Sequence, residues 1–237
     1  MQKSLNSLLL LFVLLLVAVV ALCCGGGQHE EPRRGRFSVS DTEQVDFAPG
    51  NLDEDGRSFV AHQWDYGWLF GWGTGDRPSD TIDDWHEYVR FDDWGSRIGG
   101  GWRTPTAQEW HYLLFERKDA DQKHTVATVN GMPGLMLLPD DWVLPEGYTL
   151  VSGATSWDAN SYTASQWDEM ERAGAVFLPA AGFRWGAMCY SFQCQGLYWS
   201  STIQSEGCPY TMHFDSNVLA VDWDNTPQFG QSVRLVR

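Results

Sequence analysis

Apolar and polar positions divide this chain into a leader, a short polar stretch and a long segment of mixed period. Residues 8–22 form an unbroken apolar run that opens after Lys3 and closes at Cys23-Cys24-Gly25-Gly26-Gly27. Such a run is shorter than the ~20 residues a spanning helix needs and suits a secretory leader, so residues 1–23 are expected to act as an export signal. Residues 24–36 are polar and charged without a period, which predicts a flexible tether. A single domain is expected over residues 37–237, with no internal repeat. Within it, Thr106-Ala107-Gln108-Glu109 is a capping box, and Trp110, Leu113 and Leu114 follow at helical spacing, predicting a helix of about three turns. Thr163-Ala164-Ser165-Gln166 repeats the device, with Trp167 and Met170 as the buried stripe and Gly174 as the stop. Short strands are predicted at 125–129, 135–138, 175–178, 197–202, 210–214, 218–223 and 232–236, separated by Gly, Asn, Asp and Pro. Two helices among several short strands give an α+β class without βαβ alternation.

Charge and composition narrow the function. With 16 Lys+Arg against 31 Asp+Glu the formal charge is −15, which disfavours phosphate-backbone binding and attachment to anionic lipid. At 43% hydrophobic and 14% aromatic the chain can build a core. Seven acids and two arginines crowd residues 76–93 without EF-hand spacing, and a solvated surface loop is expected there instead of a calcium site. Within residues 37–237 lie three cysteines, Cys189, Cys194 and Cys208, enough for one bridge with a thiol left over. No zinc-type spacing occurs, and no metal or cofactor is expected. None of the six histidines sits in H-x-x-x-H or beside a Gly-flanked Ser, and no acid pair stands out, so no catalytic residue is assigned.

Several motifs carry a resemblance: Gly101-Trp102-Arg103-Thr104-Pro105-Thr106 with Glu109-Trp110, Leu138-Pro139-Asp140-Asp141-Trp142, Leu178-Pro179-Ala180-Ala181-Gly182, Tyr198-Trp199-Ser200-Ser201-Thr202, and Ser232-Val233-Arg234-Leu235-Val236-Arg237. With the opening Phe37-Ser38-Val39-Ser40 and Phe47-Ala48-Pro49-Gly50-Asn51-Leu52, these resemble the major paralogous domain family of exported Bacteroidetes and Fibrobacter proteins. That family is similar to the formylglycine-generating, sulfatase-modifying-factor-like branch of the C-type lectin fold. The resemblance implies a C-type-lectin-like α+β domain with two helices and several short, mostly antiparallel strands. Its motif residues read as scaffold, with Arg103 and Arg234 as candidate buried partners for carboxylates. The end of the leader also resembles a bacterial lipoprotein signal, implying lipidation at Cys23 or Cys24 and a place on the outer membrane or cell surface. Cleavage after Ala21, which would give simple secretion, and an uncleaved anchor stay open.

Three functions compete. The fold branch contains an oxidase with a copper-binding cysteine pair, and Cys189 and Cys194 have a spacing of that sort. Both precede the strand at Tyr198, whereas the family's pair follows it, so this sulfatase-modifying reading ranks last. The favoured reading is a ligand-binding module. Gly-punctuated loops carry Phe183, Trp185, Met188, Tyr190, Phe192, Gln193, Gln195, Ile203, Gln204, Glu206, Met212, His213, Trp223 and Phe229, a composition suited to recognising an unidentified surface protein or glycan. The scatter also resembles the hypervariable positions of proteins encoded with diversity-generating retroelements. No E-P-N or Q-P-D tripeptide marks a calcium lectin, and Trp223-Asp224-Asn225 reads as a strand end and turn. The third function is a structural subunit of a surface or pilus assembly.

Overall fold

In the computed structural model, which describes residues 36–73, 91–204 and 207–237, both capping boxes form. These residues belong to the unit Pro32–Arg237. The leader with Cys23 and Cys24, nearly all of the tether and residues 76–90 of the acidic stretch lie outside them.

Helix α2 (Ala107–His111) starts where Thr106 Oγ1 accepts the Glu109 N–H at 3.1 Å and Glu109 Oε2 accepts the Thr106 N–H at 2.7 Å. The expected three turns are then completed in π geometry over Tyr112–Glu116, which buries Leu113 and Leu114. Helix α3 (Ala164–Arg172) is capped in the same way by Thr163 and Gln166 and buries Trp167 and Met170. A third helix, α1 (Trp94–Ile98), corrects the expectation of two. Asp93 caps it by accepting the Gly95 N–H at 2.9 Å, and the same carboxylate accepts the Thr104 hydroxyl at 3.0 Å. This end of the acidic stretch is therefore a structural joint, not a solvated loop.

Strands β3 (His124–Val129) and β4 (Met132–Leu137) form a hairpin across Asn130-Gly131, both at positive φ as a tight hairpin turn requires. With β5 (Ser161–Tyr162), parallel to β3, and β6 (Val176–Pro179), antiparallel to β4, they make a four-stranded sheet in the order β5-β3-β4-β6. Alternation along the strands loads both faces. Leu135, Leu137 and Leu178 pack against Trp110, Leu113 and Leu114 of the α2 region, while Met136 and Phe177 pack against Trp167 and Met170 of α3. A second sheet, β9 (Gly196–Ile203), β10 (Pro209–Phe214) and β11 (Leu219–Asp224), is antiparallel throughout with β10 in the middle. Two-stranded pieces complete the set: β1 (Phe37–Ser38) with β2 (Gln44–Val45), and β7 (Phe183–Trp185) with β8 (Met188–Tyr190).

The tail at 232–236 is not the regular strand its sequence predicts. It runs through isolated bridges, Ser232 with Tyr198 and Val236 with both Phe47 and Arg103, so one segment stitches three others. Arg234 is fully buried there, and its guanidinium donates to Asn51 Oδ1 at 3.0 Å, Ala48 O at 2.9 Å and Phe177 O at 2.5 Å. Among the described residues no carboxylate bonds it, unlike Arg103, which grips Glu109 through two nitrogens. Among the described residues no helix is long and apolar enough to cross a membrane.

Candidate functional site

The residues between 183 and 195, expected as irregular loops, fold into the β7–β8 hairpin and a tight return. Its two-residue turn, 186–187, has positive φ at Gly186 alone, the pattern of a type II′ turn. The hairpin is fastened at its base: Arg184 exchanges both backbone hydrogen bonds with Gly230, and the Gly182 N–H donates to Gln195 O at 2.8 Å. At Gly182, with φ of 69°, a Cβ would fall 2.1 Å from Tyr190 O, so only glycine lets the return pass. Ser191 and Gln193 both take positive φ, a conformation that costs non-glycine residues about 1–3 kcal/mol each. The Arg184 guanidinium lies 5.0 Å over the Trp68 ring, tying the hairpin to the body, while its Nε donates to Gly186 O at 2.6 Å within the hairpin's own turn.

This frame displays rings in contact with one another. Tyr190 stacks on Phe183 with centroids 5.3 Å apart; Phe183 and Trp185 each lie 5.4 Å from Phe229. Beyond the return, Phe192 meets the edge of Tyr66 at 5.5 Å. Trp185 and Met188, paired across the hairpin, are 63% and 61% exposed; Tyr190, Phe192 and Trp223 are also exposed. Tyr66 opens onto a second feature, a cleft of about 660 Å³ lined by Asp53, Asp65, Trp64, Asn130 and Gln193.

Between Phe183, Phe229 and Trp223 lies a smaller cavity of about 190 Å³, completed by Leu197, Gln195, His213 and Asn225. His213 Nε2 pairs with Gln195 Oε1 at 3.0 Å, an oxygen that only accepts, so the proton sits on Nε2; Nδ1 is closed off from solvent and has no partner among the described residues. Burial pushes the His213 imidazole below its ordinary pKa, with the nearby Asp215 carboxylate opposing the shift, so the ring is neutral at pH 7.

Most of the expected ligand residues therefore converge, but not all. Met212 is a correction: on the central strand β10 its side chain is fully buried with Trp110 and Phe214, and it is core. His213 is also nearly closed off, and it reaches a ligand only through the cavity it lines. Ile203 and Gln204 sit at the far end of β9 from Gly196, roughly 23 Å away at ~3.3 Å per residue, and do not join the ring cluster. Glu206 lies outside the described residues. Cys189, Cys194 and Cys208 are all free thiols. Among the described residues no three His, Cys, Asp or Glu side chains converge as metal ligands.

No family model, curated protein or solved structure matches the chain. Four site residues were not anticipated: Tyr66, Trp68, Leu197 and Asn225. Tyr66 and Trp68 lie far upstream, and their signal was the ring-rich run Trp64-Asp65-Tyr66-Gly67-Trp68.

Proposed function

We propose that this chain is an exported, lipid-anchored surface protein whose C-type-lectin-like domain holds a macromolecular ligand on the aromatic face built by β7–β8 and its neighbours. One observation carries the reading: four rings in mutual contact, Tyr190, Phe183, Phe229 and Trp185, with Tyr190 and Trp185 exposed, are built on and against a hairpin bonded to the body at its base. Rigid aromatics supply contact area at little entropic cost, and clusters of them mark interaction surfaces. The resembling motifs support a scaffold-and-loops division, since each sits at a joint: Arg103 on Glu109, Asp140 on Arg117, and Tyr198, whose hydroxyl donates to Pro179 O at 2.9 Å.

The test replaces Trp185, Tyr190, Phe192 and Trp223 together by Ala. The full chain and this variant are screened in parallel against a displayed peptide library and a glycan array. Binders retained by the wild type and lost by the variant, with melting temperatures within about 2 °C, are the expected result, because exposed side chains contribute little to stability. Binders indifferent to the four substitutions, or a variant that fails to fold, would overturn the reading. A wild type that self-associates through this face would instead favour a subunit of a surface assembly.

A further inference from the structure

The cavity between Phe183, Phe229 and Trp223 has features that specify an occupant more narrowly than the open face does. An apolar cavity of about 150 Å³ accommodates benzene. At about 190 Å³ this one has room for a six-membered ring with a small substituent. Three rings and Leu197 provide apolar walls, and no charged side chain lines it, so a charged group would enter without compensation. The polar groups are few and specific. The Asn225 side-chain oxygen, half-buried and without a donor among the described residues, is an open acceptor. The side-chain amide of Asn225 and the NH₂ of Gln195 have no hydrogen-bond partner among the described residues, so both are open donors.

We infer that this cavity receives one phenolic side chain, a tyrosine presented by a protein partner, with its ring against Phe183, Phe229 and Trp223 and its hydroxyl on the Gln195 and Asn225 amide groups. A phenol hydroxyl donates once and accepts once or twice, which matches one acceptor and two donors. A plain phenyl ring covers those groups without offering them a partner. A hexopyranose brings more hydroxyls than three groups can satisfy. The inference rests on the ligand-binding reading above and names the class of group that its cavity accepts.

The probe is p-cresol, titrated against the full chain and followed by saturation-transfer NMR, with toluene and methyl glucopyranoside as comparisons. Expected are saturable p-cresol binding, about tenfold weaker binding of toluene, displacement of p-cresol by N-acetyl-tyrosinamide, and no saturable signal from the sugar. Trp223→Ala and Asn225→Ala, both at solvent-accessible positions, should each weaken p-cresol at least fivefold while keeping the wild-type melting temperature. Equal binding of toluene, preference for the pyranoside, indifference to both substitutions, or no saturable p-cresol binding would each overturn the inference. The triple variant Trp185→Ala/Tyr190→Ala/Phe192→Ala separates the two proposals. It should keep p-cresol and lose the macromolecule, whereas failure of p-cresol with ring-dependent macromolecular binding intact would remove the tyrosine subsite alone.

Discussion

Asp140 joins the N-terminal strands to the body, and Asp140→Asn should be among the most damaging single-atom changes in the domain. Its Oδ2 accepts the Ser38 N–H at 2.8 Å, the Ser38 hydroxyl at 2.6 Å and the Gln44 amide at 3.0 Å. Its Oδ1 accepts Arg117 Nη1 at 3.1 Å, with Lys123 Nζ 3.7 Å away. The Arg117 side chain is 1% exposed, and burial pushes its pKa down to about 10 against the opposing pull of Asp140, so it stays charged at pH 7. An asparagine can present oxygen to the arginine or to Ser38 and Gln44, never to both, and its NH₂ then faces other donors. Breaking a buried ion pair from one side costs about 3–5 kcal/mol. Asp140 keeps some exposure, which recovers part of this, so about 3 kcal/mol is expected, or ~6–12 °C in melting temperature for a domain of this size. The assay is urea unfolding followed by tryptophan fluorescence, repeated down the acid limb. Burial pushes the Asp140 carboxyl up, but the hydrogen bonds from Ser38 and Gln44 and the charge of Arg117 outweigh it, holding its pKa below the usual value. Its contribution is thus complete above the unfolded pKa of about 4 and lost as the pH falls through the lower folded value. The variant should lack that part of the acid-limb slope. A loss under ~1 kcal/mol, or superimposable acid limbs, would refute the argument.

Arg234→Met should cost about 3 kcal/mol or more in the same assay, because three buried acceptors, Asn51 Oδ1, Ala48 O and Phe177 O, lose their donor together. A variant as stable as the wild type would show that desolvating the cation had cancelled its bonds. His213, whose folded pKa is lowered by burial, takes up its proton less readily than in the unfolded chain, so stability should fall as the pH drops below about 6.5 toward the folded value. His124 is shifted the same way by burial, so the readout is the difference between wild type and His213→Gln, whose stability should fall less steeply between pH 6.5 and 5. Parallel curves would show that His213 titrates as it does when unfolded.

Local chemistry was legible in the sequence wherever a few neighbouring residues decide the outcome. Both capping boxes formed because Thr and Glu or Gln three residues apart each accept the other's backbone N–H, a pairing that needs no partner from elsewhere in the chain. Helix α1 escaped notice because five residues are too few for a period and its cap, Asp93, sits among acids that resemble a surface run. The tail at 232–236 has the composition of a strand, yet its partners lie on three different segments, which no local pattern encodes. Met212 was assigned to the binding face because it sits among polar and aromatic neighbours. As β10 is the middle strand of its sheet, Thr211, Met212, His213 and Phe214 are all buried, and alternation cannot tell one face from the other. The ring cluster itself was visible as composition. Its contacts to Tyr66 and Trp68 were not, because they depend on packing between segments more than a hundred residues apart.

The exposure of these rings does not reflect a shortage of interior. Trp72, Trp94, Trp110, Trp167 and Trp199 are all fully buried, and among the described tryptophans only Trp185 and Trp223 are exposed. The return that carries Phe192 holds Ser191 and Gln193 at positive φ, conformational strain that a loop with no task has no reason to keep. Apolar rings at a surface also favour self-association, and the formal charge of −15 opposes it by mutual repulsion between copies. A face held open at a local energetic cost, on a molecule that repels itself, suits an unlike partner better than a second copy. On this reasoning the ring-dependent ligand should be neutral or basic, its association should slow as salt rises if basic, and the protein alone should stay monomeric at low ionic strength, where repulsion is least screened. Dimerisation that strengthens on lowering the salt would contradict this, since it would mean that the face attracts its own kind through charge.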